Sequence, residues 1–217
     1  MASLQAASSA VPPQQPISAG LDSAAVELQP TPTGRGPNIE MVRLPTGISM
    51  GKYEVIQAQW RAVMGNNPSH FSSCGDTCPV EKVSYDDIKQ FLQRLNSLTG
   101  KRYRLPTEDE WFSACQAGSN TQYCGSNGFD EVAWYDSNSS NTTHPVGQKQ
   151  PNAYGLYDMS GNVWEWTNSL YEAGSTRLTV RGGSWVLKPA CVRSAFRGWN
   201  VPTVRTNSRG FRLAQDN

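Results

Sequence analysis

The stretch from Ser119 to the C-terminus carries almost no helical periodicity and is crowded with Gly, Asn and Ser. Nearly half of the chain must therefore be built from short strands joined by long irregular loops, because these residues favour turns and interrupt regular structure. The helical signals all lie earlier. Gln57 to Met64 predicts a short helix. A longer one follows the cap Ser84, with Asp86 and Asp87 in its first turn, an apolar stripe of Ile88, Phe91, Leu92 and Leu95, and Gly100 beyond its end. A third starts in RLPTEDEWFSACQAG, where Thr107 and Glu110 have capping-box spacing and Gly118 is the expected stop. Helices first and short strands later predict one α+β domain. No internal repeat is visible.

The first 40 residues read differently. They hold six of the fourteen Pro, no aromatic residue and a single basic residue, Arg35. Such a segment buries too little apolar surface to offset its ordering entropy, so residues 1–40 are expected to be a flexible tail or linker and residues 41–217 the domain. The tail lacks the basic start and apolar stretch of a secretory signal. No apolar run approaches the roughly 18–20 residues of a membrane span, so no transmembrane segment is expected. Nineteen Lys and Arg against eighteen Asp and Glu give a net charge of +1. That balance excludes a protein held on nucleic acid or anionic membrane by overall charge.

Five cysteines fall as Cys74 with Cys78, Cys115 with Cys124, and Cys191 alone. Turn-forming GDT between the first two, and a Gly-Ser-Asn loop between the second two, suit two local disulfides, as expected for an exported protein; reduced thiols are the competing reading. With only two His and no C-x-x-C spacing, a zinc site is not expected. His70 and His144 sit in loop sequence without a neighbouring nucleophile and read as loop-bracing side chains. The acids Glu108, Asp109 and Glu110 lie at a helix N-terminus, where the helix dipole accounts for them. No phosphate loop, nucleophile elbow or H-E-x-x-H is present, so the case for an enzyme is thin.

Four longer segments occur in order: RLPTEDEWFSACQAG (104–118), NAYGLYDMSGNVWEWT (152–167), RGGSW (181–185) and GFRLA (210–214). Together they resemble the formylglycine-generating enzyme family, the sulfatase-modifying factor domain, over residues 41–217. The resemblance implies a C-type-lectin-like fold. It also implies a copper-assisted thiol oxidase working through two cysteines after the Gly-Gly-Ser-aromatic motif. Here Leu187 stands at the first of these positions, and Cys191 does not fall on the second. A leucine supplies neither a soft metal ligand nor a reactive thiolate, so no copper and no catalysis are expected. The resemblance further implies a structural calcium ion held by Asp158, Gly161, Val163 and Glu165, two through carboxylates and two through backbone carbonyls. The competing reading is that Asp158 and Glu165 brace the loop, with Trp164 and Trp166 in the core.

Residues 181–212 alternate a regular scaffold with unrelated side chains. This resembles the variable region of diversity-generating retroelement proteins, in which adenines of Asn codons are randomised and the altered positions line an exposed binding surface. Val186, Leu187, Cys191, Phe196, Gly198, Val201, Val204, Thr206 and Ser208 are all reachable from an AAC codon by adenine changes. Asn200 and Asn207 fit unaltered positions. Lys188 and Trp199 join the expected ligand-binding set but need a different third base. Six of the thirteen Arg fall in this segment, while the only acid after Glu172 is Asp216. Arginines bonded to carboxylates and carbonyls would pin an irregular backbone. From it Trp199, Phe196, Val201 and Leu187 would project as one apolar patch suited to a protein partner. The absence of period-2 alternation argues against core strands here.

The sequence thus predicts a non-catalytic ligand-binding protein with a diversified surface, probed by a protein ligand rather than nucleic acid, monomeric, and extracytoplasmic or at the cell surface. Its rivals are a diverged sulfatase-modifying oxidase and a fixed interaction domain of the same fold.

Overall fold

The computed structural model describes residues 36–217. Helix α1 (Gln57–Met64) lies where its sequence predicts, and α2 (Tyr85–Thr99) and α3 (Glu108–Gln116) lie where the caps Ser84 and Thr107 place them. Ser84 Oγ accepts from the Asp87 N–H while the Asp87 carboxylate accepts from the Ser84 N–H. Thr107 and Glu110 repeat the exchange on α3. Ile88, Phe91 and Leu95 are fully buried and Leu92 only partly. Each buried side chain contributes about 1.5–3 kcal/mol. α3 ends one residue before the expected stop, because Ala117 itself takes the left-handed conformation and donates its N–H to the Ser113 carbonyl.

Strands among the described residues are short: β1 (Met41–Arg43), β2 (Ile48–Gly51), β3 (Tyr103–Arg104), β4 (Ala133–Trp134), β5 (Ser160–Gly161), β6 (Trp164–Leu170), β7 (Leu178–Arg181), β8 (Arg197–Asn200), β9 (Arg209–Gly210) and β10 (Ala214–Asp216). One antiparallel sheet has the order β1-β2-β10-β3, so the last strand lies between two from the first half. A second sheet has the order β8-β7-β6-β9, and β4 pairs with β5 in parallel. That small ladder depends on Gly161, which sits at φ +84 and where a Cβ would lie 2.1 Å from the Trp134 carbonyl oxygen.

The second sheet has a different neighbour on each face. Trp166 and Val180 face the main core, where Trp60 stacks on Phe91 at 5.1 Å and Phe211 meets both edge-on. Against the other face packs α3, whose Trp111 is fully buried. Both expected disulfides, Cys74–Cys78 and Cys115–Cys124, are formed, and Cys191 is unpaired.

Residues 36–40 are attached to the domain rather than part of a tail. The Lys52 N–H donates to the Glu40 carbonyl, Gln59 Nε2 donates to the Asn38 carbonyl, and Ile39 packs against the main core. The remainder of the expected tail, residues 1–35, lies outside the described residues.

Candidate ligand-binding surface

The scaffold of residues 181–212 is fixed by its polar side chains. Arg181 is buried and donates to the carbonyls of Ser194, Ala195 and Phe196 at 2.8–3.3 Å, holding a loop with no regular structure. Burial pulls its pKa down to about 10 against the opposing charge of Glu108. Gly183, at φ +76, lets the motif pass the Cys191 carbonyl oxygen, which a Cβ would approach to 2.5 Å. Trp185 Nε1 donates to the Asn207 carbonyl, and Ser194 Oγ bonds the carbonyls of Thr121 and Gln122. Arg197 pairs with Glu108, Arg205 with Asp87 and Arg212 with Glu165. Arg181, Arg197, Arg205 and Arg212 therefore meet the carboxylates and carbonyls that the sequence argument requires.

Between these anchors the candidate positions divide. Val186, Lys188, Phe196, Trp199 and Val201 are exposed, and Cys191, Val204, Thr206 and Ser208 are half-buried. Leu187 is also half-buried. It packs against two core clusters, its N–H donates to the Ser184 carbonyl, and its own carbonyl accepts from the Asp136 N–H. Gly198 faces inward: a Cβ there would come within 3.0 Å of the Trp164 and Val180 side chains.

The expected single apolar patch is not what forms. Residues 197–200 make the edge strand β8 and do alternate, contrary to the aperiodic reading. Gly198 lies opposite Val180 and Trp199 opposite Thr179. Phe196 consequently opens beside Trp164, 6.0 Å between ring centroids, on the core-side face. Trp199 lies on the α3-side face near Tyr171, with the Arg177 guanidinium 3.8 Å over its ring. Sequence reasoning missed the second patch's neighbours, Tyr171 and Arg177, and the Tyr after WEWTNSL was its only signal.

Both carboxylates of the expected calcium site are engaged within the fold. Glu165 is buried, with both oxygens engaged by Arg212 and one also by Trp111 Nε1 at 2.6 Å. Asp158 Oδ2 accepts from the Gly147 N–H, and only its Oδ1 is left without a partner. Burial pushes the Asp158 carboxyl up to about 6. Gly161 donates its N–H to the Gly182 carbonyl, and Val163 donates to Glu54. A cation needs the oxygens that Arg212 holds, so this set does not fit an ion bound through both carboxylates. Trp164 and Trp166 are buried, and Trp166 Nε1 donates to the Val83 carbonyl. Among the described residues no three His, Cys, Asp or Glu side chains are grouped to hold a metal ion. His144 stacks on Trp134 at 3.8 Å and bonds the Ser139 carbonyl, which is a bracing role.

Short strands, long pinned loops and the first and last described strands joined in one sheet define an α+β domain of the C-type-lectin-like type. The chain belongs to the sulfatase-modifying factor enzyme 1-like domain family, whose model matches residues 23–217. Its structure is similar to that of Treponema denticola variable protein 1, with a TM-score of 0.73 and 28% identity over 84% of this chain and 93% of that one. The sequence is 35% identical to the chaperone protein LppX of Paenibacillus barcinonensis, covering 63% of this chain and 69% of that protein. It is 31% identical to the formylglycine-generating enzyme of Mus musculus over 73% of this chain, spanning 49% of the enzyme's length. No helix of the described residues is long and apolar enough to cross a membrane.

Proposed function

We propose that this chain is a non-catalytic binding protein that presents a diversified C-terminal surface to a protein ligand outside the cytoplasm. The observation that carries this reading is the division of labour within residues 181–212. Arg181, Gly183, Trp185, Ser194 and Arg212 are buried or sterically required, while Val186, Lys188, Phe196, Trp199 and Val201 project outward between them. A backbone pinned by its fixed side chains tolerates exchange of the intervening ones. Likeness to a variable protein of the same fold supports the reading, and the two disulfides suit an oxidising compartment. Leu187 disfavours the oxidase alternative, because its aliphatic side chain packs inward where the related enzymes need a thiolate.

Comparing the DNA of codons 181–217 with its genomic flank tests this directly. A nearby repeat differing only where it carries adenine is the expected result. Sister sequences with scattered synonymous and non-adenine differences, and no such repeat, would leave a fixed interaction domain instead.

A further inference from the structure

Arg209 is the exception among the arginines of the C-terminal segment. Arg181, Arg197, Arg205 and Arg212 each lie within 4 Å of a carboxylate, at distances from 2.5 to 3.7 Å. Arg193 has no carboxylate partner among the described residues but is exposed, where water compensates it. Arg209 is half-buried, and among the described residues no acid pairs with it. Its Nε is buried without a partner, and one Nη donates only to Thr206 Oγ1 at 3.1 Å. Burial lowers its pKa with no acidic neighbour to oppose the shift. A guanidinium taken from water without a counter-charge is costly to keep, so its presence calls for an explanation.

Its position supplies one. β9 pairs with β6 in parallel, with Arg209 opposite Trp164, which puts Arg209 on the edge of the sheet opposite β8. The residues on either side of Asn207, Thr206 and Ser208, are short; their hydroxyls lie 3.3 Å apart. Their backbone is held by Lys82 N–H to the Thr206 carbonyl, Trp185 Nε1 to the Asn207 carbonyl and Trp164 N–H to the Ser208 carbonyl. A fixed cation thus stands among changeable side chains.

We propose that Arg209 is a constant carboxylate-receiving group within the diversified surface, and that protein ligands present an aspartate or glutamate side chain to it next to Thr206 and Ser208. This rests on the binding function proposed above. A carboxylate bound at the terminal guanidinium nitrogens supplies the counter-charge that the fold withholds, and gives ligands of otherwise different shape a common anchor. The surrounding positions then select among acidic partners.

The test is selection of random phage-displayed peptides on the full chain, followed by affinity measurement with the synthesised peptides. The expected result is that the peptides share an Asp or Glu, and that changing it to Asn or Gln weakens binding about tenfold or more. R209Q does the same, R193Q does not, and the thermal midpoint of R209Q is unchanged or higher because an unpaired buried charge is gone. Peptides without an acid that ignore R209Q but are lost on F196S or W199S would overturn the role of Arg209 and leave the binding surface intact. Peptides indifferent to all of these variants would remove the binding surface itself. An R209Q chain with a markedly lower midpoint and unaltered peptide affinity would make Arg209 a structural residue.

Discussion

Arg212 and Glu165 form an ion pair sealed from solvent, with Nη2 2.7 Å from Oε1 and Nε 3.1 Å from Oε2. The remaining guanidinium donors reach the carbonyls of Gly51 and Tyr157, and Trp111 completes the carboxylate's partners. One contact therefore joins the GFRLA end, the WEW strand and helix α3. Glu165→Gln removes the carboxylate in direct contact with buried Arg212, leaving only the more distant Glu54 and Asp158 to oppose its charge, and the expected loss is about 3 kcal/mol by urea denaturation. Removing the half-exposed Arg197 from Glu108 should cost about 1 kcal/mol or less in the same assay. Equal losses at the two sites would contradict this ranking.

Two adjacent residues of β8 should respond in opposite ways. Gly198 has no room for a side chain, since Trp164 and Val180 approach the Cβ position to 3.0 Å. Gly198→Val should lose about 1–3 kcal/mol through overpacking. Trp199 is 41% exposed on the other face, and Trp199→Ser should change stability by about 0.5 kcal/mol. A Gly198→Val protein as stable as its parent would show that the edge strand moves away freely, and would return that position to the open surface.

The helices were legible because their information is local. Ser84, Thr107 and the apolar stripe of α2 act within a few residues, and both disulfides close short loops. The C-terminal arginines were legible as a class, since an excess of Arg over acids demands partners elsewhere. Which face each candidate occupies was not. Phe196 and Trp199 are separated by the register of β8 on β7, a long-range pairing that no spacing encodes. The fate of Glu165 was hidden for the same reason, because its partner Arg212 lies 47 residues away.

Glu81 gives the fold a pH dependence. Its side chain is buried, Oε1 accepts from the Phe71 N–H and Oε2 has no partner. Burial raises its pKa from the ordinary 4.5 to about 7, so between those values the folded protein holds a proton that the unfolded chain has released. Stability from this group is present at low pH and is lost as pH rises from about 5 to 7. Glu81→Gln keeps an acceptor for Phe71 but cannot ionise. Its thermal midpoint should fall less than the parent's over that interval, and identical slopes would assign the dependence to other groups.

The cysteines should be countable. Cys115 and Cys124 are buried and bonded, Cys74 is bonded to Cys78, and Cys191 alone is unpaired and half-exposed. Native oxidised protein should react with one equivalent of a thiol reagent, and denatured, reduced protein with five. Two or more native equivalents would mean that a disulfide is open. Replacing Cys115 and Cys124 with Ala should cost about 2–4 kcal/mol, since the bond ties α3 to the following loop.

Calcium provides a sharper test of the Glu165 contact than any substitution, because it leaves the chain unchanged. An ion bound to the folded state alone raises the midpoint in proportion to the logarithm of its concentration over its Kd. To bind through Asp158 and Glu165 it would have to displace Arg212, whose guanidinium is buried with them and repels a second cation. Chelation followed by titration with calcium to about 100-fold above a micromolar Kd would add roughly 2.7 kcal/mol if such a site existed. The expected result is no shift. A rise of several degrees, abolished by Asp158→Asn, would show that Arg212 releases Glu165 when calcium arrives.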